Sequence, residues 1–266
     1  MTESTTTYRS RIYERYAAVF QDAAEAFDPV AAARWGRAYD YYLRGWLPLQ
    51  HDAAMADLAC GDGKLLRFFA ERGYTNVSGV DISPQQVDLA RQVAPQVTQG
   101  DVLSFLDAQR DTFDLLVALK VIEHLQKSEV MQFLDGCLLA LKAGGRLIVQ
   151  TPNAESPWGT HLRYDYFTHE IAFGPNPITR LLTLCGATDI VCRESGPVPY
   201  GYSALSTLRW LVWQLIRAGL KLYSLAEMGS VGSGIYTRVF LMSCTKRQAA
   251  SRAASGDLRG TRSAVR

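Results

Sequence analysis

A glycine-rich turn and a single acid further along the chain form the most chemically informative pair. Residues 57–63 place Gly61 and Gly63 directly after a short apolar run that reads as a buried strand. Glycine has no Cβ, so the backbone of such a turn can approach a ligand closely. A second apolar strand ends on Asp81, about twenty residues later, where nucleotide-binding α/β folds place an acid on the ribose hydroxyls. The spacing therefore predicts an adenosine-containing cofactor at the carboxyl ends of parallel strands.

Residues around the turn argue against two common phosphate sites. A dinucleotide site needs a third glycine, where this chain has the bulky Leu66. A P-loop needs a hydroxyl residue after its Gly-Lys pair, and Lys64 is followed by Leu65. Asp57 and Asp62 suit a cationic ligand better than a phosphate, because opposite charges attract.

The pattern of Asp57, Cys60, Gly61 and Gly63 resembles the first motif of class I S-adenosylmethionine-dependent methyltransferases. Residues 141–148 resemble the segment that follows a helix in the same family. The resemblance implies S-adenosyl-L-methionine as cofactor, with an acid near the adenine amino group. Carried onto this chain, the cofactor-binding residues are Asp57, Ala59, Gly61, Gly63, Asp81, Ile82, Asp101, Val102 and Leu119.

Strands and helices alternate along the middle of the chain, which predicts a parallel sheet with right-handed crossovers. The resemblance implies the fold class: α/β, with a Rossmann-like, seven-stranded, mostly parallel sheet and an antiparallel final hairpin strand. We expect an N-terminal helical cap over 1–50 and a methyltransferase domain over 51–246. A helical insertion is predicted before the last strand, over 196–234, and a disordered tail over 247–266.

Histidines near the end of the fourth predicted strand are candidates for proton transfer. A hydroxyl group that accepts a methyl group, such as that of a sugar, is a poor nucleophile, so its reaction is helped by a base that removes the proton. His124 follows that strand and is the first candidate, His169 is the second, and Glu123 or Glu170 could orient a ring. Some relatives hold a divalent metal with Glu-x-x-Glu-His, but Lys120 replaces the first acid here, so no metal is predicted. A metal held by Glu123, His124 and His169 is the alternative.

A polar-aromatic block over 158–170 predicts the acceptor site, because loops after strand ends bind substrates in open α/β folds. Arg163, Tyr164 and Tyr166 are the candidate substrate-binding residues, since aromatic faces and bidentate donors match sugars. The alternative is that these polar side chains form hydrogen bonds within the protein and bind no substrate. The whole pattern, including residues 151–153, 164–170 and 235–237, resembles methyltransferases of bacterial surface-polysaccharide biosynthesis. That resemblance implies a sugar hydroxyl as acceptor, in a surface glycan or its lipid-linked precursor.

Two other functions stay open. One is methylation of a small quinone or lipid-like molecule, with the apolar insertion as a substrate lid. The other is a catalytically silent scaffold that binds the cofactor, against which the intact glycine turn, Asp81 and His124 argue.

The insertion contains a strongly apolar helical run over 204–225. Arg209, Gln214, Arg217 and Lys221 interrupt it, so a membrane-spanning helix is not expected. The run is interpreted either as a peripheral membrane contact or as a helix packed on the domain or on a second subunit in a homodimer.

Composition narrows the class of protein and its compartment. The 266 residues carry a net charge of +2 without a basic stripe, so no nucleic-acid partner is expected. Five cysteines form no CxxC pair, which indicates reduced thiols. The polar N-terminus does not resemble a signal peptide. We expect a cytoplasmic protein that could lie peripherally on the inner face of the membrane.

Overall fold

Seven strands form one sheet in the computed structural model, which describes Ile12 and residues 26–248. The order is β3-β2-β1-β4-β5-β7-β6, in which β1 to β5 pair in parallel and β7 runs antiparallel to both β5 and β6. The predicted fold class is confirmed. The strands are β1 Met55–Leu58, β2 Val77–Asp81, β3 Val97–Gln99, β4 Phe113–Leu119, β5 Leu141–Pro152, β6 Ala187–Glu194 and β7 Val239–Lys246.

Helices connect the strands and cover the sheet. The long helix α8 lies between β6 and β7, where the sequence predicts an insertion. A 3-10 turn, Ile122–His124, follows β4. The α-helices are α1 Pro29–Tyr42, α2 Lys64–Ala70, α3 Pro84–Arg91, α4 Val102–Asp107, α5 Lys127–Ala140, α6 Gly159–Asp165, α7 Pro175–Leu184 and α8 Ala204–Met228.

The central strands are buried on both faces, as their continuous apolar sequences predict. Successive side chains of a strand point to opposite faces. Leu115 of β4 packs in one cluster with Phe69 of α2, whereas its neighbour Leu116 packs in another with Phe133 of α5. The apolar clusters on the two faces of the sheet hold the strands in place. The loops that follow the carboxyl ends of the strands are therefore well positioned.

Three details differ from the sequence expectations. The sequence predicts a helix to about Leu141 and the next strand from Arg146; α5 ends at Ala140, as expected, but β5 already begins at Leu141 and contains Gly144 (φ +78°). Residues 158–170 contain the short helix α6 rather than only loop. The last strand starts at Val239, later than the predicted 235.

Parts of the predicted cap and tail, 1–11, 13–25 and 249–266, lie outside the described residues. Within the described part of the chain, no helix combines the length and apolar character that crossing a bilayer requires.

Candidate active site

A cavity of about 590 Å³ lies where the loops after β1, β2 and β4 meet. Adjacent parallel strands bring their carboxyl ends to one edge of the sheet, which is where open α/β folds bind ligands. The predicted cofactor residues that line the cavity are Asp57, Ala59, Gly61, Asp81, Ile82, Asp101, Val102 and Leu119.

The Asp81 carboxylate ties the glycine turn to the next loop. Its Oδ2 accepts a hydrogen bond from the Gly61 amide at 2.8 Å, and its Oδ1 accepts one from the Ser83 amide at 2.9 Å. A carboxylate oxygen can accept more than one hydrogen bond, so each retains capacity for a ligand hydroxyl. A Cβ added to Gly61 would meet only Gln86 Oε1, at 3.8 Å. The turn therefore leaves open space for a ligand beside an anchored carboxylate.

Gly63 and Asp101 each occupy the position directly before a helix and contribute to its packing or capping. Gly63 precedes α2 with φ +87° and does not line the cavity. A Cβ there would lie 2.9 Å from the Cα of Ala90, so glycine lets α2 pack on α3. Asp101 lines the cavity and also caps α4, accepting hydrogen bonds from the amides of Leu103 and Ser104 at 2.9 and 3.1 Å.

Acidic groups dominate the glycine-turn end of the cavity. Burial raises the pKa of Asp57 well above its ordinary value, and the nearby carboxylates of Asp81 and Asp62 raise it further. Burial also raises the pKa of Asp81. Asp62 is paired with Lys64, 2.5 Å from its Nζ. A positively charged ligand would relieve this repulsion, which fits a sulfonium cofactor and not a phosphate.

At the other end of the cavity, the structure brings together Glu123, His124 and His169. Their ligating atoms all lie within 4.8 Å of one another. His124 Nδ1 lies 3.2 Å from the carbonyl oxygen of Thr168, and His169 Nδ1 lies 2.7 Å from that of Leu162. Because a carbonyl can only accept, both rings carry their proton on Nδ1, and the basic lone pair is on Nε2.

Burial shifts the pKa values of Glu123 and His169. Burial raises the pKa of Glu123 to about 7, although a 3.1 Å hydrogen bond from Thr151 Oγ1 to its Oε2 acts in the opposite direction. Burial also lowers the pKa of His169. A neutral histidine next to a carboxyl group that titrates near neutrality can take up a proton. The same donor set could also hold a divalent cation, despite Lys120 at the place of a further acid.

Of the three predicted acceptor-binding residues, one lines the cavity and two do not. Tyr166 lines the cavity, with its ring 5.3 Å from that of His169. Arg163 is not among the lining residues, because its guanidinium donates to the carbonyl oxygens of His169 and Glu170 and holds the loop. Tyr164 is 75% exposed and also lies outside the lining.

Several lining residues were not among the predicted site residues, and three of them come from different parts of the fold. Trp35 comes from α1, Gln86 from α3 and Lys120 from the turn after β4. Gln86 is buried beside the glycine turn, and Lys120 has the left-handed φ of +60°. Neither the type nor the spacing of these residues marks them out in the sequence, since the folded chain alone brings them to the cavity.

Residues 55–145 match the family described as "Methyltransferase domain". This part of the chain is similar to methyltransferase domains. Among curated proteins, the chain is similar to the ubiquinone biosynthesis O-methyltransferase of Xylella fastidiosa, with 30% identity over 42% of this chain and 46% of that protein. The counterpart from Bradyrhizobium is 33% identical over 37% and 40%. The trans-aconitate 2-methyltransferase of Azoarcus is 34% identical over 42% and 44%. The chain thus spans less than half the length of these relatives.

Solved structures agree with the methyltransferase fold. A SAM-dependent methyltransferase from Archaeoglobus fulgidus superposes with a TM-score of 0.58 at 17% identity, over 82% of this chain and 93% of that one. The phosphoethanolamine N-methyltransferase 2 of Haemonchus contortus, solved with S-adenosyl-L-methionine, gives 0.55 at 15% identity, over 92% and 59%. The fold is that of the class I S-adenosylmethionine-dependent enzymes, and the acidic glycine-turn end of the cavity suits that cofactor.

Proposed function

We propose that this chain transfers the methyl group of S-adenosylmethionine to a hydroxyl oxygen of a small molecule. One observation carries the proposal: a single cavity joins the acidic glycine turn to two histidines whose Nε2 atoms carry the lone pair. S-adenosylmethionine, when bound, supplies a strongly electrophilic methyl group. The chain must therefore hold the cofactor, align the acceptor and remove its proton.

The residues divide these tasks along the cavity. Asp81 and the Gly61 turn would hold the ribose, and the charge of Asp57 would favour the cationic end of the cofactor. His124 Nε2 would take the proton that the acceptor hydroxyl loses on methylation. His169 and Tyr166 form the facing wall and position the acceptor. Glu123 stabilises the charge that develops on the imidazole.

Two observations support a small-molecule acceptor. Two of the relatives named above are ubiquinone biosynthesis O-methyltransferases, although the match covers less than half of each. Around the histidines, the cavity wall is also partly apolar, with Leu125 and Leu162 beside Tyr166. An aromatic hydroxyl of the quinone-precursor type fits this mixture, because its ring can pack on apolar groups while its oxygen reaches a base.

A glycan hydroxyl is the second candidate, on a separate observation. Trp158, Tyr164 and Phe167 are 52%, 75% and 77% exposed on the segment that leads to the cavity. Aromatic faces at a surface are suited to the apolar faces of sugar rings. This acceptor, in a surface glycan or its lipid-linked precursor, would bind across α6 instead of inside the cavity.

The experiment incubates the full chain with methyl-labelled S-adenosylmethionine and three acceptor fractions: soluble catechols, polyprenylated catechols and lipid-linked glycans. Mass spectrometry then locates the methyl group. We expect label on a catechol oxygen and its loss in His124→Ala. Label on a sugar oxygen would favour the second candidate. Cofactor binding without transfer to any fraction would contradict both candidates and favour a silent scaffold.

A further inference from the structure

The long helix α8 presents an unusual arrangement: its outward side is largely apolar, and several of its polar groups contact the domain. The exposed side chains include Leu208, Leu211, Leu215 and Leu222, which are 57%, 53%, 76% and 68% exposed. Positions three, four and seven apart lie on one face of a helix. A continuous apolar strip of this length on a protein surface marks an interaction site.

Inward-pointing polar groups hold the helix in this orientation. Trp213 Nε1 donates to Glu194 Oε2 at 3.1 Å, and Arg217 forms an ion pair with the same carboxylate at 3.2 Å. Near the start of the helix, the buried Ser206 hydroxyl donates to the carbonyl oxygen of Val198 at 2.8 Å. Rolling the apolar strip inward would break these bonds, so the strip is a fixed surface.

Cations and aromatic rings surround the first turns of α8. Arg209 is exposed on the helix itself. Exposed Arg37 lies 5.5 Å from the ring of Tyr202, and exposed Arg44 stacks 3.8 Å from that of Tyr41. Tyrosine and arginine next to an apolar helix are the side chains that settle at the boundary between headgroups and acyl chains.

The charge of the helix favours an anionic lipid surface as its partner over a second copy of the chain. α8 contains three cations, Arg209, Arg217 and Lys221, and a single acid, Glu227, in its last turn. Two such helices packed on each other would bring six cations together with only two carboxylates from the helices themselves. An anionic bilayer supplies the opposite charge and also receives the leucines.

We propose that the outward face of α8 lies in the interfacial layer of an anionic bilayer. Its first turns are anchored there by the neighbouring arginines and tyrosines. The surface is joined to the active site, because Tyr41 packs edge-on against Tyr200 and belongs to α1, the helix that carries Trp35 to the cavity. This inference does not depend on which acceptor is methylated.

Cosedimentation of the full chain with vesicles tests the proposal without any activity measurement. Vesicles of phosphatidylcholine alone are compared with vesicles that also contain phosphatidylglycerol. We expect binding to the anionic vesicles that weakens with added salt, because the Debye length shortens. Leu211→Ser with Leu215→Ser should weaken binding by at least about tenfold, since two leucines no longer enter the lipid.

A matched control replaces two exposed leucines away from α8, Leu49→Ser with Leu184→Ser, which are 91% and 75% exposed in the wild type. This variant should bind vesicles like the wild type, and thermal melts should show both variants folded. Light scattering after gel filtration reports the oligomeric state. Absence of vesicle binding, or equal binding by the wild type and the Leu211/Leu215 variant, overturns the proposal. A dimer that only the Leu211/Leu215 variant dissociates, without vesicle binding, would identify a second copy as the partner.

Discussion

Asp81→Asn offers the sharpest test of the cofactor site, because it keeps the shape of the side chain and changes only its hydrogen bonding. Both oxygens of Asp81 accept hydrogen bonds from backbone amides, those of Gly61 and Ser83. Asparagine has one acceptor oxygen and one NH₂ group, so one backbone N–H must face another donor. The substitution therefore disturbs the glycine turn and removes one acceptor for the ribose.

The expected magnitude follows from the bonds that are lost. A hydrogen bond to a charged group contributes about 1.5–3 kcal/mol. Every 1.4 kcal/mol changes a binding constant tenfold, so losing one such bond to the ribose weakens affinity by roughly tenfold to a hundredfold. Asp81→Ala removes both acceptors and should weaken binding further.

Isothermal titration calorimetry with S-adenosylmethionine and S-adenosylhomocysteine measures the effect. Asp88→Asn is the matched control, because its side chain on α3 is 78% exposed and lies 4.0 Å from Arg91 without touching the cavity. Wild-type affinity in Asp81→Asn for both ligands, with an unchanged melting temperature, would refute the role assigned to Asp81.

Three further predictions concern the trio at the other end of the cavity. His124→Ala should lower turnover by about 10²–10⁴-fold with little change in cofactor affinity; the exposed His161→Ala is its control, and normal turnover would exclude His124 as the base. Burial raises the pKa of Glu123 from 4.5 to about 7, so its neutral form stabilises the fold below about pH 4.5 and this stability is lost as the pH rises through 7. By urea denaturation, the free energy of unfolding of the wild type should therefore fall by an amount on the order of 3 kcal/mol between acid and alkaline pH, and Glu123→Gln should lack this fall. The same pH dependence in both proteins would contradict the raised pKa. Activity should survive chelation; loss that magnesium restores would instead indicate a divalent ion held by Glu123, His124 and His169.

Much of the fold could be predicted because its determinants are local in the sequence. Buried parallel strands such as β4 read as continuous apolar runs, and the Gly-x-Gly turn with Asp81 has a fixed spacing. Element ends were less predictable. The local glycine pair Gly144 and Gly145 indicated a break before a strand at Arg146, but Leu141 pairs with Phe113 in the sheet and β5 begins there.

The acceptor side was harder to predict because its contacts join residues distant in sequence. Side-chain type suggested Arg163 as a substrate ligand, yet backbone carbonyls occupy its guanidinium. Gly63 was expected at the cofactor, but its missing Cβ makes room for Ala90 of another helix. In both cases the residue type indicated what the position can do, a donor at Arg163 and a close approach at Gly63. The group that each one contacts was decided by the folded chain.

The short segment that contains α6 has a consequence for how acceptor preference can change. Its carbonyl oxygens, at Leu162 and Thr168, hold the Nδ1 protons of His169 and His124, and the same segment carries Tyr166 into the cavity. Reshaping this segment to admit a different acceptor also moves the carbonyls that fix the imidazole tautomers. A change of acceptor made in this segment therefore also changes the base, whereas a variant that alters acceptor preference alone must change lining residues outside the segment, such as Trp35 or Val239.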